Sequence, residues 1–233
     1  MVCFQDLLNL EPAAATIPPL WTIDKNGRFY HVVQRASNKD NIYDKEVALY
    51  RENLLCRICA MYDITILFSV VMKNHSHDIV MADNWELISK ATKQVNSAVS
   101  KQVRKIYSKR YNHGRRVFAS RPYYRAIHDI VDLHVVSKYT FDNVAKVEGK
   151  GGYVPYSCFW NMENGIVSRP YNKELYPVLF GMPVTDLCKL FKQNDISTIR
   201  RMAIERFSNW TKLDNDRLFK VKPEVPWVEM AGI

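Results

Sequence analysis

The chain has 233 residues, of which 33 are Lys or Arg and 24 are Asp or Glu, and its formal net charge is +9. Hydrophobic residues make up 47% of the sequence, which supports a packed core and excludes a disordered, collagen-like or low-complexity protein. The longest apolar run, residues 64–72, is too short to cross a membrane, and the N-terminus lacks the pattern of a secretory signal. The five cysteines form no disulfide framework for a chain of this length, so we expect a cytoplasmic protein.

Hydrophobic periodicity predicts a regular middle region between two less regular ends. In chain order the predicted elements are a strand at 28–35, a helix at 44–62, strands at 64–72 and 75–81, a long helix at 84–111, a helix at 122–145 and a strand at 153–159. The two consecutive strands are separated by a short turn and are expected to form a hairpin. This order indicates an α+β fold, a ferredoxin-like sandwich in which an antiparallel sheet carries helices on one face.

The chain divides into an irregular N-terminal arm (1–27), a regular domain (28–160) and a helical C-terminal extension (161–233). Two short helices are predicted in the extension, with Thr185 and Ser197 as their N-caps. These helices form either a helix-turn-helix that reads DNA or a pair packed on the preceding domain, and we favour the packed pair.

Cys56 and Cys59 form a CxxC motif inside a helical pattern. A redox pair is expected at a helix N-terminus, and a structural zinc site would need a second pair of ligands. We therefore expect both cysteines to pack in the core.

The excess positive charge lies between residues 90 and 125, a span that contains no Asp or Glu. Aromatic residues are interleaved with the cations, which is typical of a surface that binds single-stranded nucleic acid through phosphate contacts and base stacking. A solvated surface is the alternative, and the complete lack of acids favours the polyanion site. The candidate residues are Lys90, Lys93, Lys101, Arg104, Lys105, Lys109, Arg110, Arg115, Arg116, Arg121 and Arg125.

Two spacings suggest a catalytic site. His75 and His77 are two apart on a predicted strand, so both imidazoles face the same side and could hold a divalent metal ion. Tyr139 and Asn143 are one turn apart on a predicted helix, where a tyrosine hydroxyl could act as a nucleophile beside the ion. Taken singly, each spacing is also compatible with ordinary core or surface residues.

Four segments in sequence order strengthen this interpretation. They are RFYHVVQR at 28–35, MKNHSH at 72–77, the basic helix, and KYTFDNV at 138–144. Their order and spacing resemble the HUH single-strand transposase superfamily and, more narrowly, the REP-associated tyrosine transposases. The resemblance covers about residues 28–160 and implies a ferredoxin-like fold. It also implies a metal-dependent endonuclease or strand transferase that acts on single-stranded or hairpin DNA.

Carried over residue by residue, the resemblance implies that His75 and His77 bind Mg²⁺ or Mn²⁺ and that Asn143 takes the place of the third ligand. It implies that Tyr139 attacks the phosphodiester and becomes linked to the 5′-phosphate, leaving a free 3′-OH. The basic segment would hold the DNA. A protein of this kind works as a monomer or a homodimer and needs no membrane.

The sequence departs from the family's motifs at Lys73, Ser76, Asp78 and Val144. Ser76 and Asp78 are expected on the strand face opposite the histidine pair, where a buried carboxylate is costly unless it is paired. These departures support an alternative function, a DNA-binding descendant that no longer cleaves. A second alternative is an RNA-binding ferredoxin-like module, in which the histidine pair and Tyr139 would have no role.

Overall fold

The computed structural model describes residues 24–111, 114–119, 121–148 and 175–220. Its strands are β1 (Phe29–Arg35), β2 (Thr65–Val71), β3 (His75–Met81) and β4 (Tyr123–Ile127). Its helices are α1 (Lys45–Met61), α2 (Trp85–Ile106), α3 (Ser108–Tyr111), α4 (Ile130–Glu148), α5 (Leu175–Phe180), α6 (Val184–Gln193), α7 (Ile196–Arg206) and α8 (Lys212–Phe219). The strand predicted at 153–159 lies outside the described residues. Among the helices in these ranges, none combines the length and the apolar character needed to cross a membrane.

The four strands form one antiparallel sheet in the order β2-β3-β1-β4. Since α1 lies between β1 and β2 and α2 lies between β3 and β4, the chain order is β-α-β-β-α-β. This order and this topology confirm the predicted ferredoxin-like sandwich. Strand β1 lies between β3 and β4. Each β1 side chain therefore has a β3 residue as its neighbour on one side and, over Phe29–Val33, a β4 residue on the other.

Helices α1 and α2 cover one face of the sheet, as the fold prediction requires. Trp85, the first residue of α2, packs against Tyr30 of β1 and Tyr124 of β4, with ring centroids 5.2 and 4.7 Å apart. The apolar stripe of α2 is buried along its whole length, from Ile88 to Val103. The exposed face of α2 therefore points away from the sheet, and this is the face that carries the lysines.

Helix α4 and the C-terminal helices cover the opposite face. Phe68 of β2 meets the rings of Tyr176 and Phe180 at centroid distances of 5.6 and 5.7 Å. Phe219 packs on Phe29 at 4.9 Å. These aromatic contacts make the C-terminal helices part of the core. Because α7 packs against α4, the favoured alternative for this region, a helical pair packed on the preceding domain, agrees with the structure.

Two element predictions were wrong in part. Residues 123–127, expected at the start of a helix, form the edge strand β4 because their backbone pairs with β1. The long helix at 84–111 is interrupted at Tyr107, whose ψ of 44° is not helical, so α2 ends there and α3 follows as a single turn. The strand at 28–35, the helix at 44–62 and the hairpin are confirmed.

The predicted N-caps of the C-terminal helix pair were also wrong. Helix α6 is preceded by Pro183, and helix α7 is capped by Asp195. The Asp195 side chain accepts a hydrogen bond from the backbone N–H of Thr198 at 2.7 Å, which satisfies one of the free donors in the first turn. Each helix therefore starts earlier than the hydroxyl residues suggested.

The buried carboxylate of Asp78 has the partners that its burial requires. It pairs with Arg51 of α1 and accepts a hydrogen bond from Ser69 Oγ at 2.8 Å. Arg51 also pairs with Glu52 at 2.6 Å, and burial raises the pKa of Glu52 to about 7 although the Arg51 charge acts to lower it. This ionic cluster lies on the face covered by α1 and α2, opposite the histidine pair, as predicted from strand alternation.

The CxxC cysteines pack as expected. Cys59 is buried in the core and Cys56 is partly buried against it, and no disulfide joins them. Burial raises the pKa of the Cys59 thiol well above its usual range, so the reactive thiolate is disfavoured.

Candidate active site

Three histidines meet on the sheet face that α4 covers. His75 and His77 share this face of β3, and their ring centroids are 5.0 Å apart. His31 lies on the same face of neighbouring β1, where the register pairs His31 with Ile79 and Val33 with His77. The His31 ring stacks on His77 with centroids 5.1 Å apart and an interplanar angle of 14°. The cluster thus consists of His75 and His77, which are close in sequence, and His31, which reaches them through the pairing of β1 with β3.

The Nδ1 atoms of His75 and His77 each form a hydrogen bond. His75 Nδ1 lies 2.6 Å from Asn74 Oδ1, and since an amide oxygen only accepts, His75 donates. His77 Nδ1 lies 2.9 Å from His31 Nε2. Burial and the nearby Arg125 guanidinium lower the pKa of His31 to about 3, so its neutral ring can accept the Nδ1 proton of His77. With this pattern, Nε2 is the nitrogen that His75 and His77 would offer to a ligand.

Tyr139 of α4 lies against the histidine cluster. Its ring centroid is 5.7 Å from that of His77 and 6.2 Å from that of His31, and both contacts are edge to face. Leu133 and Val136 on the same helix are buried in the core and hold this part of α4 against the sheet. Tyr139 itself is only half-buried, so part of its side chain is accessible to a substrate.

The donor set fits a divalent cation. Two imidazole nitrogens and an amide oxygen, the ligand types predicted from the sequence, would be a mixed set that suits Mn²⁺ and leaves coordination positions open. Metal-binding histidines usually have their second ring nitrogen held by a hydrogen bond, and His75 and His77 both have this arrangement. Asn143 is buried one turn after Tyr139, and its Nδ2 has no hydrogen-bond partner in the described ranges. Within those ranges no group of three or more His, Cys, Asp or Glu side chains could hold a metal ion, so a metal at His75 and His77 would need a ligand of another type, and Asn143 is the residue that the sequence predicts for it.

Two arginines border the histidine cluster. Arg125 of β4 is the cross-strand neighbour of His31, and Arg35 at the end of β1 is the neighbour of His75. Arg35 is exposed, whereas Arg125 is half-buried and donates a hydrogen bond of 2.8 Å to Asp132. Burial raises the pKa of Asp132, and the Arg125 charge acts in the opposite direction. Positive charge at this position suits the phosphates of a nucleic acid.

The cations of the basic segment lie on both sides of the sheet. Because α2 packs on the face opposite Tyr139, its candidate cations lie on the far side of the sheet. These exposed residues are Lys90, Lys93, Lys101, Arg104 and Lys105. Lys109 and Arg116 are exposed after the end of α2, Arg121 precedes β4, and Arg125 lies on the histidine face. A nucleic acid that uses all of them would have to cross the edge of the sheet.

Arg110 and Arg115 also make a structural contact. Both pair with the buried carboxylate of Asp40, which accepts a further hydrogen bond from Tyr111 Oη at 2.8 Å. Although burial acts to raise it, the hydrogen bonds from Tyr111 and Arg110 lower the pKa of Asp40. This cluster ties the segment after α2 to the segment after β1.

His31 is the residue of this site that sequence reasoning missed. Strand alternation puts it on one side of β1 with Phe29 and Val33, which is the pattern of an ordinary buried face. The signal that identifies it is the pairing of β1 with β3, which places His31 beside His77.

Comparisons with known proteins find a matching family and similar solved structures. A profile of the family described as "Transposase IS200 like" matches residues 25–143, which run from just before β1 to Asn143. A REP-associated tyrosine transposase bound to a REP hairpin is similar over 64% of this chain and 87% of its own, with 15% identity and a TM-score of 0.45. A protein from Deinococcus radiodurans R1, described as a candidate transposase, is similar over 48% of this chain and 88% of its own, with 14% identity and a TM-score of 0.38. Among curated proteins, none matches the sequence significantly.

Proposed function

Since the chain belongs to the IS200-like transposase family, we propose that it cleaves and rejoins single-stranded or hairpin DNA with Tyr139 as the nucleophile. The observation that carries this proposal is the contact of the Tyr139 ring with His77 and His31 on the face beneath α4. Among the tyrosines in the described ranges, Tyr139 combines partial exposure with this histidine contact.

The chemistry assigned to Tyr139 is transesterification at a phosphodiester. The Tyr139 oxygen forms a bond to phosphorus as the bond between phosphorus and the 3′ oxygen breaks. The phenolic proton leaves to solvent, and the departing 3′ oxygen takes up a proton to become a free 3′-OH. The protein is then linked to the 5′-phosphate of the downstream strand. Attack by a 3′-OH reverses the step and joins the strand to a new end.

His75 and His77, with Asn143 as third ligand, would hold Mg²⁺ or Mn²⁺. A bound divalent cation supplies neutralisation of the charge that develops on the scissile phosphate. His31 acts as a positioning residue, since its Nε2 accepts from His77 Nδ1 and so keeps His77 Nε2 directed to the ligand side. Arg35 and Arg125, at the border of the cluster, bind the phosphates that flank the reacting one.

The distribution of charge supports a DNA strand that runs over the β4 edge. From the phosphate at Tyr139 it passes Arg125 and Arg121 and reaches the lysines on the exposed face of α2. We expect the protein to act in the cytoplasm as a monomer or homodimer, and we expect no membrane partner.

A covalent protein–DNA adduct tests the proposal. A DNA hairpin with single-stranded flanks is labelled at its 3′ end, incubated with Mn²⁺ and separated on a denaturing gel. Because the link is to the 5′-phosphate, the 3′ label should migrate with the protein, whereas a 5′ label should appear in a short free fragment. The Tyr139→Phe variant removes only the hydroxyl and should form no adduct while it keeps its DNA affinity.

Tyr123→Phe is the matched control, because Tyr123 is also half-buried and lies on the same sheet face. It should form the adduct as the wild type does. An adduct that persists in Tyr139→Phe would refute the assignment of the nucleophile. The absence of any adduct with folded wild-type protein and varied hairpins would favour a protein that binds DNA without cleaving it.

A further inference from the structure

A pocket of about 320 Å³ opens at the β4 edge of the sheet, on the face opposite the histidine cluster. It lies between α2, the central strand β1, and the segment that leads into β4. Amides, aromatic rings and cations line it together, namely Gln34, Asn96, Phe118, Tyr124, Lys93 and Arg121. This volume is at the small end of the range for ligand pockets, which suits one nucleotide unit. The catalytic mechanism proposed above makes no use of it.

Two amide side chains give the pocket hydrogen-bonding groups in a defined orientation. Asn96 Nδ2 donates to Gln34 Oε1 at 2.7 Å, and Gln34 Nε2 donates to the Arg35 carbonyl at 3.1 Å. Gln34 is only 3% exposed, so a buried side chain fixes the orientation of the Asn96 amide. Asn96 uses one N–H in this bond and keeps its carbonyl oxygen and its second N–H for a ligand. A carbonyl beside an N–H is the pattern that pairs with N6 and N7 of adenine.

Aromatic rings and cations add the other parts of a nucleotide site. Phe118 is half-buried and presents a ring on which a base can stack. Tyr124 is buried and fixed by its edge-to-face contact with Trp85. Lys93 on α2 and Arg121 before β4 place positive charge in the same pocket, where a phosphate of the bound strand can meet it.

The pocket lies on the path that the DNA strand must take. Tyr124 lines it, and the next residue of the same strand, Arg125, faces His31 on the other side of the sheet. A strand that crosses the β4 edge between Tyr139 and the lysines of α2 therefore passes the pocket.

We infer that this pocket receives one unstacked base of the bound DNA and prefers adenine, so that it contributes to the choice of DNA sequence. The inference rests on the proposed function, since it assumes that single-stranded DNA is the substrate. Asn96 pairs with the adenine edge, Phe118 stacks on its face, and Lys93 and Arg121 bind the adjoining phosphates.

The test measures binding without cleavage. Four fluorescent 15-nucleotide strands of dT, with A, G, C or T at the centre, are titrated with the full chain in the absence of divalent metal, and anisotropy is recorded. The strand with central adenine should bind at least roughly fivefold more tightly than the others, the lower end of the discrimination given by one bidentate amide pair. Equal affinity for the four strands would overturn the inference.

Two variants separate base recognition from general DNA affinity. Asn96→Ala should abolish the preference for adenine and leave the affinity for the all-dT strand within roughly twofold, whereas the exposed Asn53→Ala should keep the preference. If Asn96→Ala does not fold, Asn96→Asp replaces it, because it removes the N–H and keeps the shape. Phe118→Ala should weaken all four strands by at least roughly fivefold through lost stacking. A preference that survives loss of the Asn96 amide would refute the site.

The adduct assay distinguishes this inference from the proposed function. If the Tyr139 adduct forms but the four strands bind equally, the pocket assignment is wrong and the catalytic assignment stands. If the adenine preference depends on Asn96 but no adduct forms, the pocket assignment stands and the catalytic assignment fails.

Discussion

Replacement of His31 by phenylalanine tests whether this buried histidine positions His77 for metal binding. Phenylalanine keeps a ring in the stacked position and removes the nitrogen that accepts from His77 Nδ1. The bond is 2.9 Å long, and the two side chains are 2% and 3% exposed, so water cannot easily replace the lost acceptor. We expect the His31→Phe variant to bind Mn²⁺ more weakly, with its overall fold retained.

The size of the effect follows from the burial of this bond. A buried N–H left without an acceptor costs about 1–3 kcal/mol. The metal-free protein can avoid this cost by moving the His77 proton to Nε2, but a metal-bound His77 cannot, because Nε2 is then the ligand. The full cost therefore falls on binding and corresponds to a roughly 5- to 150-fold increase in Kd. This range brackets the roughly 10- to 100-fold loss typical of outer partners of metal-binding histidines.

Mn²⁺ binding can be followed by the decrease in the electron paramagnetic resonance signal of the free ion as protein is added. His77→Ala should abolish binding, and His31→Gln, which restores an acceptor, should recover most of the wild-type affinity. The exposed His128→Phe should bind as the wild type does. If His31→Phe does not fold, as judged by urea unfolding, His31→Met serves in its place.

Wild-type affinity in His31→Phe, together with loss of binding in His77→Ala, would refute the positioning role of His31. Wild-type affinity in both variants would refute the assignment of the metal to this histidine pair.

Two further predictions concern stability. Arg51→Met leaves the buried carboxylates of Asp78 and Glu52 without a counter-charge and should lower the free energy of unfolding by about 3–5 kcal/mol, measured in urea, whereas the exposed Arg57→Met on the same helix should change it little. Equal stabilities of these two variants would contradict the role of the ion cluster. Burial lowers the pKa of His134 to about 4, so the folded state resists protonation of this residue. The stabilisation that comes from the neutral imidazole is therefore fully present above about pH 6.5, and it is lost as the pH falls toward 4. Between pH 7 and pH 5 this residue should account for a loss of about 2 kcal/mol, and His134→Met should lose less stability than the wild type by that amount; an identical loss in both proteins would refute the reasoning.

Local spacing in the sequence predicts much of the fold. The alternation of 28–35, the helical spacing of 44–62 and the hairpin at 64–81 each repeat within a few residues, and the structure confirms them. The same local rules place His75 and His77 on one face of β3 and put Tyr139 and Asn143 one turn apart on α4. For these features the relevant neighbours are two to four residues away, so the chain itself encodes them.

The edge strand β4 shows where local reasoning fails. The segment 123–127 is short and lies just before helix α4, and its sequence is compatible with a helix. They form a strand because their backbone groups pair with β1, whose paired residues lie 90 to 98 positions earlier in the chain. The ionic cluster is a similar case, since the cost of burying Asp78 can be stated from sequence but its partner Arg51 comes from another element.

Only the tertiary structure determines which side of the sheet each functional group occupies. The register of β1 brings His31 to His77 and Arg125 to His31, residues separated by 46 and 94 positions in the chain. The packing of α2 on the other face sends its lysines away from Tyr139 and creates the pocket of Gln34 and Asn96 at the β4 edge. Side-chain direction along one strand has a period of two and can be predicted from the sequence. The pairing of distant strands depends on the energy of the whole core, so the face that each helix covers emerges only when the chain has folded.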